Sequence, residues 1–120
     1  MTPFGQRVRA LRAERGIALK DMAAALGVTP TYLSALEHGR RGRPGWGFVQ
    51  RVIQFFNVIW DDAEELQRLA DLSHPRVVVD TAGLSPTATR FANRLARQIG
   101  DLDEAELAAL SGILDRRPLR

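Results

Sequence analysis

The chain predicts an all-α fold, five short helices followed by a two-helix hairpin, and three observations predict it. Apolar residues recur three and four positions apart in nearly every segment, the spacing that aligns one face of a helix. The pairs Thr2-Pro3, Thr29-Pro30 and Ser85-Pro86 mark helix starts: the hydroxyl accepts from an unpaired amide of the first turn, and proline has no amide to leave unpaired. The one β-branched run, Val77 to Val79, has no second strand to receive its backbone hydrogen bonds. It reads as an extended linker in preference to a strand that pairs with its twin across a two-fold axis.

The first helix is expected from Pro3 to about Arg15, with Phe4, Val8 and Leu11 inward and Gly16 ending it. Leu19, Met22, Ala23 and Leu26 then form the stripe of a second helix. Gly27 stops it, because glycine takes the left-handed conformation without a side-chain clash. Val28 is expected as a buried pivot. Thr29 caps a third helix of about three turns, with Leu33 and Leu36 inward and Thr31, Tyr32, Ser34, Ala35 and His38 outward.

The basic stretch Arg40-Arg41-Gly42-Arg43-Pro44 is too short and too glycine-rich for a helix. A fourth helix follows at 46–57, with Phe48, Val49, Val52, Ile53 and Phe56 closing over the first three. Trp46 reads as a core or edge-packing residue, in preference to a base-stacking platform. Asp61 or Asp62 caps a fifth helix striped by Ala63, Leu66, Leu69, Ala70 and Leu72. Its acids suit the positive end of the helix dipole.

Ser73-His74-Pro75 marks a boundary, since proline disfavours helix in the residue before it. The expected organisation is a domain at 1–72, an extended linker at 73–83 and a helical hairpin at 84–120. Ser85 caps the hairpin's first helix, which carries Ala88, Phe91, Ala92, Leu95 and Ile99 and stops at Gly100. Asp101 or Asp103 caps its second, with Leu107, Leu110, Ile113 and Leu114 inward. Residues 116–120 are expected to fray. Two amphipathic helices carry more apolar surface than they can hide alone, so this face packs on the N-terminal domain or on another subunit.

Composition removes several function classes. The chain has no cysteine, which excludes disulfides and thiolate metal sites and fits a reducing cytosol. No stretch approaches the roughly twenty apolar residues that span a membrane, and the start has no signal-peptide pattern, so a cytoplasmic protein without membrane contact is expected. His38 and His74 have no second ligand at metal-binding spacing. No glycine-rich phosphate loop and no nucleophile motif are present. Neither an enzyme, a metal nor a cofactor is expected. Charge is the informative quantity: residues 1–43 hold eight cations against three acids, whereas the remainder holds nine against eleven. Positive charge is concentrated in the first 43 residues, the part that contains the first three helices and the loop after them.

The stretch 16–39 resembles the helix-turn-helix of the phage lambda repressor and Cro type, the xenobiotic-response-element (XRE) family. The resemblance rests on Gly16, Ile17, Met22, Ala23, Leu26, Gly27, Val28, Thr29, Leu33, Ser34, Leu36, Glu37 and Gly39 in fixed register. The chain departs from the pattern at Ala18, where the family has a Ser or Thr cap, and at Leu19, where it has a Gln that touches phosphate. The resemblance implies a compact five-helix, lambda-repressor-like DNA-binding domain ending near residue 72. It also implies a structural ion pair between Arg12 and Glu37, clamping the first helix to the third. The third helix would enter the major groove of double-stranded DNA, with Pro30, Thr31, Tyr32, Ser34 and Ala35 as base contacts. Arg7, Thr29, His38, Arg40, Arg41 and Arg43 are the phosphate candidates.

The expected function is a sequence-specific transcriptional regulator, a repressor binding an inverted repeat as a homodimer. Its expected dimerisation element is the hairpin, through Phe91, Leu95, Ile99, Leu107, Leu110 and Leu114; the fifth helix is the alternative. A second function class is an interaction protein of antitoxin type, whose hairpin holds a protein partner while the DNA-binding half autoregulates its operon. A third is a fold relative that has lost DNA binding, to which Leu19 and the sparse recognition face point.

Overall fold

The computed structural model describes residues 1–117. Its helices are α1 (Pro3–Arg15), α2 (Leu19–Leu26), α3 (Pro30–Glu37), α4 (Trp46–Phe56), α5 (Asp61–Asp71), α6 (Pro86–Gln98) and α7 (Glu104–Leu114), with a 3-10 turn at Ile99–Asp101. The chain divides into two compact units, Met1–Val77 and Val78–Arg120.

In the first unit, α1 packs on α3 and α5, α2 packs on α3 and α4, and α4 packs on α5. The stripes read from the sequence meet in one core. Phe4, Val8, Leu11, Met22, Ala23, Leu26, Leu33, Val49, Val52, Phe56, Leu66 and Ala70 are all buried, and Ile17, Leu19, Phe48 and Ile53 pack around them. Helix α2 shows how packing overrides a weak start. Ala18 occupies its N-cap position and offers no side-chain hydrogen bond. Burial of Met22, Ala23 and Leu26 holds the helix, Met22 and Leu26 each contributing on the order of 1.5–3 kcal/mol when fully buried.

Several details differ from expectation. Helix α3 has eight residues, just over two turns where three were expected. It ends at Glu37 because Gly39, at φ +80°, turns the chain sharply away against the Thr2 methyl. Val28 is half-buried. Trp46 is not a core residue: it stands at the first position of α4, 70% exposed. Neither Asp61 nor Asp62 caps α5; Trp60 occupies the N-cap position, at φ +53° and ψ −125°, without a side-chain hydrogen bond, and both acids lie in the first turn. Leu72 falls beyond the end of α5 and is exposed.

Ser73, in contrast, is buried and ties the unit together. Its hydroxyl accepts from the Phe4 amide at 2.9 Å and donates to the Leu69 carbonyl, joining the first turn of α1 to the last turn of α5. Val77 to Val79 form no ladder and are exposed.

In the second unit, Ser85 caps α6 by accepting from the Ala88 amide at 3.2 Å. Gly100 is not a left-handed stop: α6 tightens into the 3-10 turn, which leads to Asp103. Asp103 and Glu106 then form a reciprocal capping box, each carboxylate accepting from the other residue's amide at 2.8 and 3.0 Å. No residue of α6, of the 3-10 turn or of α7 is buried. Of the expected frayed tail at 116–120, the last three residues lie outside the described ones.

Candidate nucleic-acid interface

Glu37, the last residue of α3, is held from three directions. Its carboxylate takes both ends of the Arg12 guanidinium, Nη1 to Oε2 and Nη2 to Oε1, the latter at 3.1 Å. The side chains are 9% and 2% exposed, so neither charge has water to fall back on. Arg12 Nη1 also lies 3.7 Å from the Met22 sulfur, which ties α2 into the same cluster. The Glu37 carbonyl, one of those a helix end leaves without an internal partner, accepts from the Thr2 amide at 3.0 Å and the Thr2 hydroxyl at 3.1 Å. The same hydroxyl accepts from the Gly5 amide, so one threonine caps the start of α1 and the end of α3.

This crossing explains Gly5. A Cβ at that position would lie 2.1 Å from the Glu37 carbonyl oxygen, an impossible approach, so the two backbones meet only because residue 5 has no side chain. Sequence reasoning missed it. The available signal was a glycine inside a helix, which costs roughly 0.5–1 kcal/mol relative to alanine and so calls for a packing reason. Arg15 was also missed: it donates to the Phe56 carbonyl and lies 5.5 Å over the Phe56 ring, pinning the end of α1 to the end of α4. No local sequence signal points to that contact.

With its C-terminal end fixed, α3 presents its N-terminal turn outward. Pro30, Thr31 and Tyr32 are exposed; Ser34 and Ala35 are half-buried, set lower on the helix flank than expected. The Thr29 hydroxyl accepts from the Tyr32 amide at 3.1 Å, fixing that turn. At the other end, His38 Nδ1 lies 2.8 Å from the Ser34 carbonyl. A carbonyl only accepts, so Nδ1 carries the proton and Nε2 is left as an acceptor in the neutral ring.

The cations are less uniform than their spacing suggested. Arg41 lies over the Tyr32 ring, its guanidinium carbon 5.7 Å from the centroid, against the outer side of α3. The Arg40 amide donates to the Ala35 carbonyl at 2.9 Å, folding the loop back onto the helix end. Arg43 turns toward α5, with Nη1 3.7 Å from Asp71. Arg7 pairs with Glu14 on its own helix at 3.9 Å and does not join the loop group. The structure thus gathers Arg40, Arg41 and His38 at α3, while Arg7 and Arg43 have acidic neighbours of their own. In the second unit, Phe91, Leu95, Ile99, Leu107, Leu110 and Leu114 all line one apolar cleft of about 260 Å³ between α6 and α7. No helix of the described residues is long and apolar enough to cross a membrane.

Comparison with known proteins bears on this arrangement. Two curated relatives are from Bacillus subtilis: the HTH-type transcriptional repressor RghR, 30% identical over 51% of this chain and 45% of that protein, and the uncharacterised regulator RghRB, 29% identical over 52% and 45%. An uncharacterised HTH-type transcriptional regulator of Mycobacterium tuberculosis is 34% identical over 95% of this chain and 47% of its own length. The chain spans about half the length of these curated relatives. Among solved structures, a chain of the SinR protein/SinI protein complex is 23% identical over 82% of this chain and 99% of that one, with a TM-score of 0.42. The family model described as a helix-turn-helix domain matches residues 3–67, from the start of α1 into α5. A helix-turn-helix domain is a binding module and not an enzyme, and the chain belongs to the helix-turn-helix domain family.

Proposed function

We propose that this chain is a sequence-specific DNA-binding transcriptional regulator of the XRE type, a cytoplasmic repressor acting as a homodimer on an inverted repeat. The observation that carries the proposal is α3 itself. Its C-terminal end is locked by Arg12, Thr2 and Gly5, its N-terminal turn is exposed, and Arg40, Arg41 and His38 gather beside it. A rigid short helix with a free N-terminal turn suits major-groove insertion, because base edges are read at fixed geometry while surrounding cations set register on phosphates. The names of RghR and of the other curated relatives agree with this class.

In this reading Pro30, Thr31 and Tyr32 meet base edges, with Ser34 and Ala35 deeper on the flank. Thr29, Arg40 and Arg41 contact phosphate, His38 does so in the doubly protonated ring, whose Nε2–H donates, and Arg7 and Arg43 do so on release from their acidic neighbours. The 1–72 domain reads DNA, the 73–83 segment spaces it, and the hairpin from residue 84 pairs two copies so that half-sites lie about one helical turn, roughly 34 Å, apart. The experiment is a mobility-shift titration of the chain on its own upstream region at two salt concentrations. Each phosphate neutralised adds about −0.9 to the slope of log affinity against log salt. Absence of a salt-sensitive shift sinks the proposal.

A second reading is favoured by one observation, the apolar surface that α6 and α7 leave open. It makes the hairpin a holder of a different protein, as an antitoxin would be, with DNA binding as autoregulation. Sedimentation of the purified chain separates the two: a dimer that Leu95→Asp converts to monomer supports self-pairing, and a monomeric wild type favours the partner protein.

A further inference from the structure

The outer side of α3 is short of groups that can tell one base pair from another. It carries Pro30, Thr31, Tyr32, Ser34 and Ala35, and no Arg, Lys, Asn or Gln. Hydroxyls accept and donate to either base, whereas strong discrimination in the major groove comes from bidentate donors, above all Arg to the O6 and N7 of guanine. The nearest such donor comes from outside the helix. Arg41 lies with its guanidinium carbon 5.7 Å from the Tyr32 ring centroid. Tyr32 sits in the first turn of α3, which the Thr29 hydroxyl fixes through the Tyr32 amide. The side chain of Arg41 therefore runs back from the loop along the helix toward its exposed end. Among the described residues, Arg41 alone of the three loop arginines lies over a side chain of α3; Arg43 is beside Asp71 on α5.

We propose that Arg41 is a base reader for guanine, with Tyr32 as the shelf that orients it. The proposal rests on α3 entering the major groove and replaces the phosphate role for this one arginine. A guanidinium drawn to an aromatic ring is restrained beside it by the ring's quadrupole, and most of its five N–H groups stay available, among them the fork that matches two acceptors on one base edge. Holding the plane before DNA arrives lowers the ordering cost of the bidentate contact. Each half-site is then expected to contain a guanine that no residue within α3 can specify.

The test selects from a randomised 30-base-pair duplex library with the full chain, comparing wild type, Arg41→Ala, Arg41→Lys, Tyr32→Phe and Tyr32→Ala. Circular dichroism checks that each variant is folded. Wild type is expected to enrich a symmetric motif with one invariant guanine per half-site. Arg41→Ala should lose preference at that position alone and bind the wild-type motif about 10–100-fold more weakly. Its affinity for duplexes lacking that guanine should hardly change. Arg41→Lys should lose the preference despite keeping its charge, Tyr32→Phe should retain it, and Tyr32→Ala should blunt it. Uniform weakening of all duplexes by Arg41→Ala, with the salt slope reduced by about one, would return Arg41 to the phosphate backbone and overturn the proposal. Full preference in Arg41→Lys overturns it equally. A wild-type chain that enriches no motif and binds without salt dependence instead removes the DNA reading on which the proposal stands.

Discussion

The two units use the same local devices and reach opposite results. Both contain amphipathic helices started by hydroxyl or carboxylate caps, Thr2 and Thr29 in the first, Ser85 and Asp103 in the second. In the first unit every stripe finds a partner, and Phe4, Val8, Met22, Leu33, Val49, Val52, Phe56, Leu66 and Ala70 are at most 1% exposed. In the second no side chain of the described residues is buried; Phe91 and Ile99 remain about half exposed and Leu114 is 72% exposed. Capping decides where helices begin, but it does not make a core. Burial of apolar area supplies most of the stability of a small fold. The first unit has a closed core of its own, whereas α6 and α7 leave the apolar lining of the cleft between them exposed.

The sharpest way to break this contrast is at the buried ion pair. Arg12→Leu leaves the Glu37 carboxylate buried without its partner and should cost about 4 kcal/mol in urea denaturation of the full chain. The double variant Arg12→Leu, Glu37→Leu should recover most of that, since a buried pair replaced by apolar groups is often near neutral. A loss below about 1 kcal/mol in the single variant would mean that the charges are solvated in solution and that α3 is not locked. Gly5→Ala is next. Its Cβ has to displace the Glu37 backbone, and the expected cost is about 2–3 kcal/mol, measured by the same denaturation. Weaker binding in the mobility-shift assay should accompany it, because what moves is the end of α3.

How far the sequence revealed this molecule follows the range of the forces involved. Caps, stops and helix stripes depend on residues a few positions apart, and Thr2, Gly16, Gly27, Thr29 and Ser85 act where the sequence puts them. Contacts across the fold carry no such local mark. The Phe4 amide meets Ser73 sixty-nine residues away, and nothing near Ser73 distinguishes it from the polar residues of a linker. The approach of Gly5 to Glu37 is of the same kind. At the candidate site, residue types and spacing identified α3 and the basic loop. They did not distinguish Arg41 over Tyr32 from Arg43 beside Asp71, since three nearby arginines on a loop look alike until their neighbours are known. Arg12 with Glu37 was legible only through the family resemblance.

A gentler probe of the first unit uses the uncapped start of α2. Ala18→Ser supplies the cap that α2 lacks and should add about 0.5–1 kcal/mol, seen as a higher urea midpoint at unchanged slope. The addition should appear in full, since Ala18 is exposed and already has the extended backbone of a capping residue. A zero or negative change would mean that packing, and not the missing hydroxyl, sets where α2 begins.

The smallest expected effect separates the two units most cleanly, by making one chemical change in each. Leu66→Ala removes a side chain that is 1% exposed and should cost about 3 kcal/mol at any protein concentration. Leu107→Ala removes the same atoms from the open cleft, where water already reaches the neighbouring Phe91 and Leu110. In dilute protein it should change the unfolding free energy by less than about 0.5 kcal/mol. If a second copy covers the cleft, the cost reappears only as concentration rises, as a weaker association constant in sedimentation equilibrium. A concentration-independent loss as large as that of Leu66→Ala would place Leu107 in a closed core within one chain, and the contrast between the two units would then fail.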